Sequence, residues 1–514
     1  PCPFRAGCSC GRLVYIERLI MARWNLLGGT ALAASLFAGT SAFADVTAEQ
    51  VWQSWVDYYV SLGQTVTPES AAMEGDTYVV KNAVFASTMP DGGFSATVPE
   101  MRLKELGDGR VEVTLAPEIP IKVTGKTETG GASDVSLKMR QSGMTMVVSG
   151  VPEDMAYELS APEIGVSVDS VMADGTAVPV VFDMAMKGNA GKYQMTNAGG
   201  TNVASDFTTD SITFNIDVTD PAGGAGFKSS GGFNNLAGTS KVTIPDGVNM
   251  AEMHKALAAG VVIDSSITSG GGAYSFDVQD PNAPMTGSVK GGGGSFNVAM
   301  SKDTFTYGVT GKAGEMSFSG AAMPMPVDVA YGETAVNFAL PVSKGDTAQP
   351  FAALLKVVDL TVSEGVWGMI DPTAQLPRDP ATMVVDVTGA AKMLVDIFDP
   401  ANAASPAPPG ELEALNLNAL NVKVAGAELT GTGAATFDNS TGMPVPNGSV
   451  NLQLTGANAL IDKLVAIGII PEDQAMSTRM MLGMFAVASG DDSMTSEIVF
   501  NPDGSILANG QRIK

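Results

Sequence analysis

Cysteine is nearly missing from this chain. Its three cysteines, Cys2, Cys8 and Cys10, all precede Met21. Beyond that point a disulfide, a thiolate nucleophile and a cysteine metal site are excluded. A chain of this size buries enough surface to fold without such staples. Histidine is scarcer still. The single His254 lies beside Lys255 in "AEMHKALAAG" and reads as a partly exposed helix residue. One histidine without cysteine makes a zinc site unusual, and no G-x-S-x-G elbow surrounds any serine. Aromatic residues are only 6% of the chain, too few for the stacking platforms of a carbohydrate enzyme. Positive charge is also short, with 29 Lys+Arg against 54 Asp+Glu and a formal net charge of −25. That balance favours solubility and repels nucleic acid and anionic lipid head groups. The acids are spread out, so they read as a solvated acidic surface.

Further absences narrow the chemistry. The glycine runs "GSVKGGGGSFNV" and "SGGGAYSFDV" lack the Lys-Ser/Thr of a phosphate loop and precede strands, not helices. They read as turns or places of close backbone approach. No D-x-[DN]-x-[DN]-G calcium loop occurs, and Asp491-Asp492 reads as a solvated turn. The expectation is a protein without catalytic residues, metal ligands or cofactor.

The stretch "MARWNLLGGTALAASLFAGTSAFAD", Met21 to Asp45, has the layout of a secretory signal peptide. Arg23 supplies the positive start, Trp24 to Thr40 is apolar and uncharged, and Ala42 and Ala44 supply the small residues before a cleavage site. Residues 1–20 lack an initiating methionine and read as translated sequence upstream of the true start. Residues 21–44 are then a signal peptide, and the mature chain is exported to the periplasm, with an extracellular location as the alternative.

What is present is strand and turn. Hydrophobic residues make up 45% and charged residues 16%, which excludes wholesale disorder, and 59 glycines separate short alternating runs. In "VVFDMAMKG" Phe182, Met184 and Met186 oppose Asp183 and Lys187. In "ITFNIDV" Phe214, Ile216 and Val218 oppose Asn215 and Asp217. "YSFDV", "SFNVAM", "TFTYGV" and "MSFSG" continue the alternation. One wet and one dry face per strand is the pattern of antiparallel sheets. Asp108-Gly109, Asp174-Gly175 and Gly223-Gly224 mark turns.

Helices interrupt the strands. Thr47 and Gln50 fit a capping box, Trp52, Trp55, Val56 and Tyr59 share one face, and Gly63 can end the helix. Asn249 and Glu252 bracket a second start, with Ala251 to Ala259 helical. "VVDVTGAAKMLVDIF" from Val384 and "NLQLTGANALIDKL" from Asn451 read as two copies of one unit, a strand followed by Thr-Gly-Ala and an amphipathic helix. A helix after Pro471, a strand at Ser496 to Phe500, a turn at Asn501 to Gly504 and a last strand near Ile513 close the chain. The fold class is mainly β with a few amphipathic helices, a β-rich α+β protein built on a long, curved antiparallel sheet or on stacked antiparallel sheets. The organisation is a main β-rich region over 45–398 with its N-terminal helix, a Pro/Ala-rich loop over 399–410, and a strand–helix unit over 411–514 continuous with the main sheet.

The segment "GVWGMIDPTAQLPRDPATMVVDVTG" (Gly365 to Gly389), with "ADVTAEQVWQSWVDYY" near the start and "FNPDGSILANGQRI" at the end, resembles the domain of unknown function 2125 family. Leu376 to Thr382 is the most specific part. The resemblance implies an exported protein of Gram-negative bacteria, with no activity or catalytic residues to carry over. Within "LPRDP", Arg378 beside Asp379 reads as the brace of a proline-framed turn. "AELTGTGAATFD" and "GSVNLQLTGANALIDKL" are also similar to AsmA-like envelope proteins. That similarity implies long sheets with an apolar channel and a link to lipid movement.

Two expectations follow. In one, Phe182, Met184, Met186, Phe214, Phe296, Met300, Phe305 and Phe318 line a sheet groove that takes a lipid or other apolar ligand. In the other, the same residues are filled core, and the protein is a structural or interaction component of the envelope with a protein partner.

Overall fold

The structure is a computed structural model. It describes residues 46–514 apart from 90, 128–129, 198, 221–223, 251, 404–406 and 441. The expectations for residues 1–44, the signal peptide among them, lie outside the described residues. The protein is mainly β, with 64% strand and 12% helix, and 28 strands make up a long antiparallel sheet. The mainly-β antiparallel class read from the alternation therefore holds. The chain forms two compact units. The first comprises the described residues up to Ser240 with Tyr274–Thr286, and the second comprises Lys241–Ala273 with Gly287–Lys514.

Helix α1, Ala48–Ser61, opens the first unit. The expected capping box is present. Thr47 accepts from the Gln50 N–H at 3.3 Å and the Gln50 side chain accepts from the Thr47 N–H at 2.9 Å. Gly63, at φ +78°, follows the helix end. The helix lays its apolar face on the sheet. Trp52 meets Phe85 edge-on at 6.3 Å, and Trp55 stacks on Tyr157 at 6.3 Å. Val51, Val80, Leu103, Val111, Val148 and Met155 are fully buried in the same core. Each such side chain contributes about 1.5–3 kcal/mol of burial.

The long strands share one device. In Thr77–Met89 the core positions are Tyr78 and Val80, then Ala83 and Phe85. The phase of the alternation slips by one at Asn82, which has φ +48°. In the paired strand Gly92–Glu105 the slip lies between Met101 and Val98, opposite Asn82. All these residues pack in one cluster, so the slip keeps the apolar side chains on one face. A left-handed residue inside a strand turns the pleat, as a bulge does. Gly188 (φ +64°) divides Val180–Thr196, Ala313 (φ +47°) divides Thr304–Gly320, and Asp359 (φ +56°) divides Gln349–Val362.

The second unit is an antiparallel meander. Thr304–Gly320, Val327–Pro341, Gln349–Val362, Ala381–Met393, Gly410–Val424, Ala427–Asp438, Val445–Thr455 and Ser493–Phe500 pair in that order. Gly293–Met300 pairs ahead of them, between Val262–Ser269 and Thr304–Gly320. Helices α2 (Met253–Ala258), α3 (Glu364–Ile370), α4 (Ala457–Ala466) and α5 (Glu472–Phe485) complete it.

Two expectations for the helices are corrected. Helix α2 begins only at Met253, and its N-cap Glu252 makes no side-chain cap. The strand–helix repeat exists once, not twice. After Thr455, Gly456 adopts φ +71° and Asp492 accepts from the Asn458 and Ala459 N–H groups, both at 2.9 Å, so α4 starts there. Gly389 stays extended and paired within Ala381–Met393, under the ring of Phe351. Asp396 then accepts from the Lys344 N–H at 2.9 Å in a turn, and no helix forms at Leu394.

Candidate functional site

Register decides which side chains line up across a sheet. In the second unit Ile267 pairs with Phe296, Phe296 with Val309, Val309 with Val336, Val336 with Leu355, and Leu355 with Val385. The first five form a row across neighbouring strands, and each is between 37% and 44% exposed. Two residues along each strand, Val298, Tyr307 and Phe338 form a second row, then Met300, Phe305 and Leu340 a third. The aromatic rings are in contact. Phe296 meets Tyr307 edge-on at 5.7 Å, and Tyr307 stacks on Phe338 at 5.2 Å. On Gly293–Met300, Thr304–Gly320 and Val327–Pro341 the alternate positions beside these rows are polar or small, including Asn297, Thr306, Thr310 and Asn337. The sheet therefore has one apolar face, partly open to solvent.

That face is closed at one end. Ala256 and Leu257 of α2, with Val261, are buried against Ile263 and Met300. Phe398 closes edge-on over Phe305 at 5.9 Å. An open apolar face with one capped end can hold a nonpolar molecule.

The eight sequence candidates divide between the units. Phe296, Met300 and Phe305 lie on this face. Phe318 lies on the same strand beyond the Ala313 kink, paired with Val327. Phe182, Met184, Met186 and Phe214 lie in the first unit. There Met184 pairs directly with Phe214, and Phe182 and Met186 pair with Ile216 and Ile212. These are half-buried, with Phe214 against Phe233 at 6.4 Å and Tyr274 at 6.5 Å. The sequence reading missed Ile267, Val309, Val336, Leu340 and Leu355. Their signal was the same alternation, weakened because "PFAALLKVV" carries apolar residues on both faces.

In the first unit an open depression of roughly 600 Å³ is lined by Glu118, Arg140, Glu163 and Asp183 together with Met184 and Phe214, two of the sequence candidates. Arg140 and Asp183 approach only to 3.9 Å. Below helix α1, burial pushes the Tyr157 hydroxyl up to about 12, and the Tyr193 hydroxyl higher still. The two rings touch at 4.6 Å in the core. Among the described residues, no three or more His, Cys, Asp and Glu side chains group closely enough to hold a metal ion. None of the described helices is long and apolar enough to cross a membrane.

Arg378 is a brace of the turn, as expected, and its buried partner is Asp371. Its guanidinium donates to the buried Asp371 carboxylate at 2.9 Å, lies 4.6 Å over the Trp367 ring and reaches Glu364 at 3.5 Å. Asp371 also accepts from the Leu376 N–H at 2.6 Å and from Thr373 Oγ1 at 3.2 Å. Burial pushes the Asp371 carboxyl up, but the Leu376 and Gln375 N–H groups, Arg378 and Thr373 outweigh it and hold it below the ordinary value. The network locks the turn after α3, where "DPTAQLPRDP" has too few backbone hydrogen bonds to hold itself.

No curated protein and no solved structure matches the chain. Residues 306–508 match the family model described as "Uncharacterized protein conserved in bacteria (DUF2125)". The match takes in most strands of the apolar face and the Asp371–Arg378 turn, while α1 lies outside it. Over residues 306–508, then, the chain is similar to the DUF2125 family.

Proposed function

We propose that this protein is a non-enzymatic component of the bacterial envelope that binds or carries a lipid or another apolar ligand on the apolar face of its second unit. The observation that carries the reading is the register-aligned row Ile267, Phe296, Val309, Val336 and Leu355, open to solvent over five adjacent strands. Isolated exposed apolar residues are ordinary, but a contiguous row is a binding surface in want of an occupant. The layout of Met21 to Asp45 supports export to the periplasm, and the similarity of the last third to AsmA-like proteins supports a lipid as the occupant. The test is native mass spectrometry with lipid extraction on protein made with its own leader in a Gram-negative host. A stoichiometric lipid should accompany the wild type and be absent from a folded Phe296→Asp/Val336→Asp variant. An apo mass with no uptake of added lipid, or equal lipid in both proteins, would overturn the reading.

A further inference from the structure

Helix α5 carries a second apolar surface, remote in sequence from the row above. Met476, Met480 and Met484 recur at i, i+4 and i+8, and are between 56% and 71% exposed. Spacing of this kind puts them on one line along the helix. Met481 and Phe485, also exposed, widen the stripe. Among the described residues nothing buries this surface. The only buried residue of α5 is Ala475. The helix is held by Arg479 on Asp462 at 2.5 Å, and by Asn509 donating to the Phe485 carbonyl at 3.0 Å.

The charges around the stripe select among occupants. Glu472 and Asp473 stand exposed at the N-terminal end of the helix, and the only cation of α5, Arg479, is engaged by Asp462 of α4. A helix that lies on a membrane needs lysine and arginine around its apolar face. This one offers acids, which an anionic bilayer repels. A second copy of the same helix would bring acid against acid in parallel. In antiparallel it would bring Glu472 and Asp473 to the partner's negative helix end. A groove on another protein, apolar in its floor and rimmed by Lys or Arg, complements both features. Methionine is suited to such a floor because its unbranched side chain adapts to the partner's shape.

We infer that the methionine stripe of α5 is the docking surface for a protein partner that presents an apolar groove with a basic rim. The test places p-benzoylphenylalanine at Met480 of the full chain in the source bacterium, with Gln453 on the polar side of the sheet as the control position. Photolysis should give a discrete protein adduct from position 480 and not from 453. The partner, identified by mass spectrometry and purified, should bind wild type at least about tenfold more tightly than a Met480→Asp/Met484→Asp variant. That binding should also weaken several-fold between about 50 mM and about 500 mM salt. The variant should melt as wild type does, since both residues are exposed. Adducts only with lipid, only with a second copy, or equally from both positions would overturn the inference. So would partner binding that salt and the double substitution leave unchanged.

Discussion

If the row in the second unit is a surface, a charge placed in it should be tolerated. Val336→Asp and Val261→Asp make the same chemical change within one unit, at 44% and 0% exposure. Fully burying a valine contributes about 1.5–3 kcal/mol. Val336 has already left much of that unrealised, so its removal loses about 1 kcal/mol. The poorer strand propensity of aspartate adds up to about 1 kcal/mol more. The total of about 2 kcal/mol lowers the melting temperature of a unit this large by about 5 °C. Val261 loses its whole burial and leaves an unpaired carboxylate among Ala256, Leu257 and Met300, which together cost about 5 kcal/mol or more. Urea and thermal unfolding of the two variants, followed by far-ultraviolet circular dichroism, make the comparison. A Val336→Asp cost equal to that of Val261→Asp would mean that the row is covered core, and the proposal of an open ligand face would fall with it.

The buried tyrosines give a pH dependence in the first unit. Their folded values are raised above the ordinary 10.0, so deprotonation favours unfolding. Stability should be constant below pH 10 and fall above it, and phenolate absorbance of Tyr157 and Tyr193 should appear only with unfolding; early ionisation near pH 10 would contradict their burial. Asp371 has the opposite sign, with its folded value lowered, so its stabilisation is present above the ordinary 3.8 and lost as pH falls below it. Asp371→Asn should therefore lower the urea midpoint at pH 7, and the gap from wild type should narrow as pH falls below 3.8; a gap independent of pH would refute the carboxylate's role. At the Asp359 kink, Asp359→Gly should be neutral or slightly stabilising, and Asp359→Val should cost about 1–2 kcal/mol, because a branched side chain resists positive φ. Equal unfolding midpoints for those two variants would show that the kink does not depend on left-handed backbone.

The class of fold was legible because alternation is local. Phe182 to Met186 and Phe214 to Val218 announce their wet and dry faces within a few residues, and the Thr47–Gln50 capping box is a local hydrogen-bond pattern. Pairing is not local, and that is where the reading stopped. Ile267 and Leu355 lie far apart in the chain, and only the intervening pairings through Phe296, Val309 and Val336 bring them into one row. The repeat drawn from two Thr-Gly-Ala segments failed for a similar reason. What starts a helix after Gly456 is Asp492, supplied from a distant turn, and Gly389 has Phe351 over it instead. Arg378 was recognised as a brace, but its buried acceptor Asp371, seven residues back, was not. The kinks are a different case, because they leave a local trace. Alternation that slips by one at Asn82 or Gly188 looks like the end of a strand, yet one left-handed residue with the right register turns it into continuity. Counting such slips as kinks joins Phe305, Tyr307 and Val309 to Met316 and Phe318 on one face of one strand, which extends the apolar surface well past the five residues that define its open row.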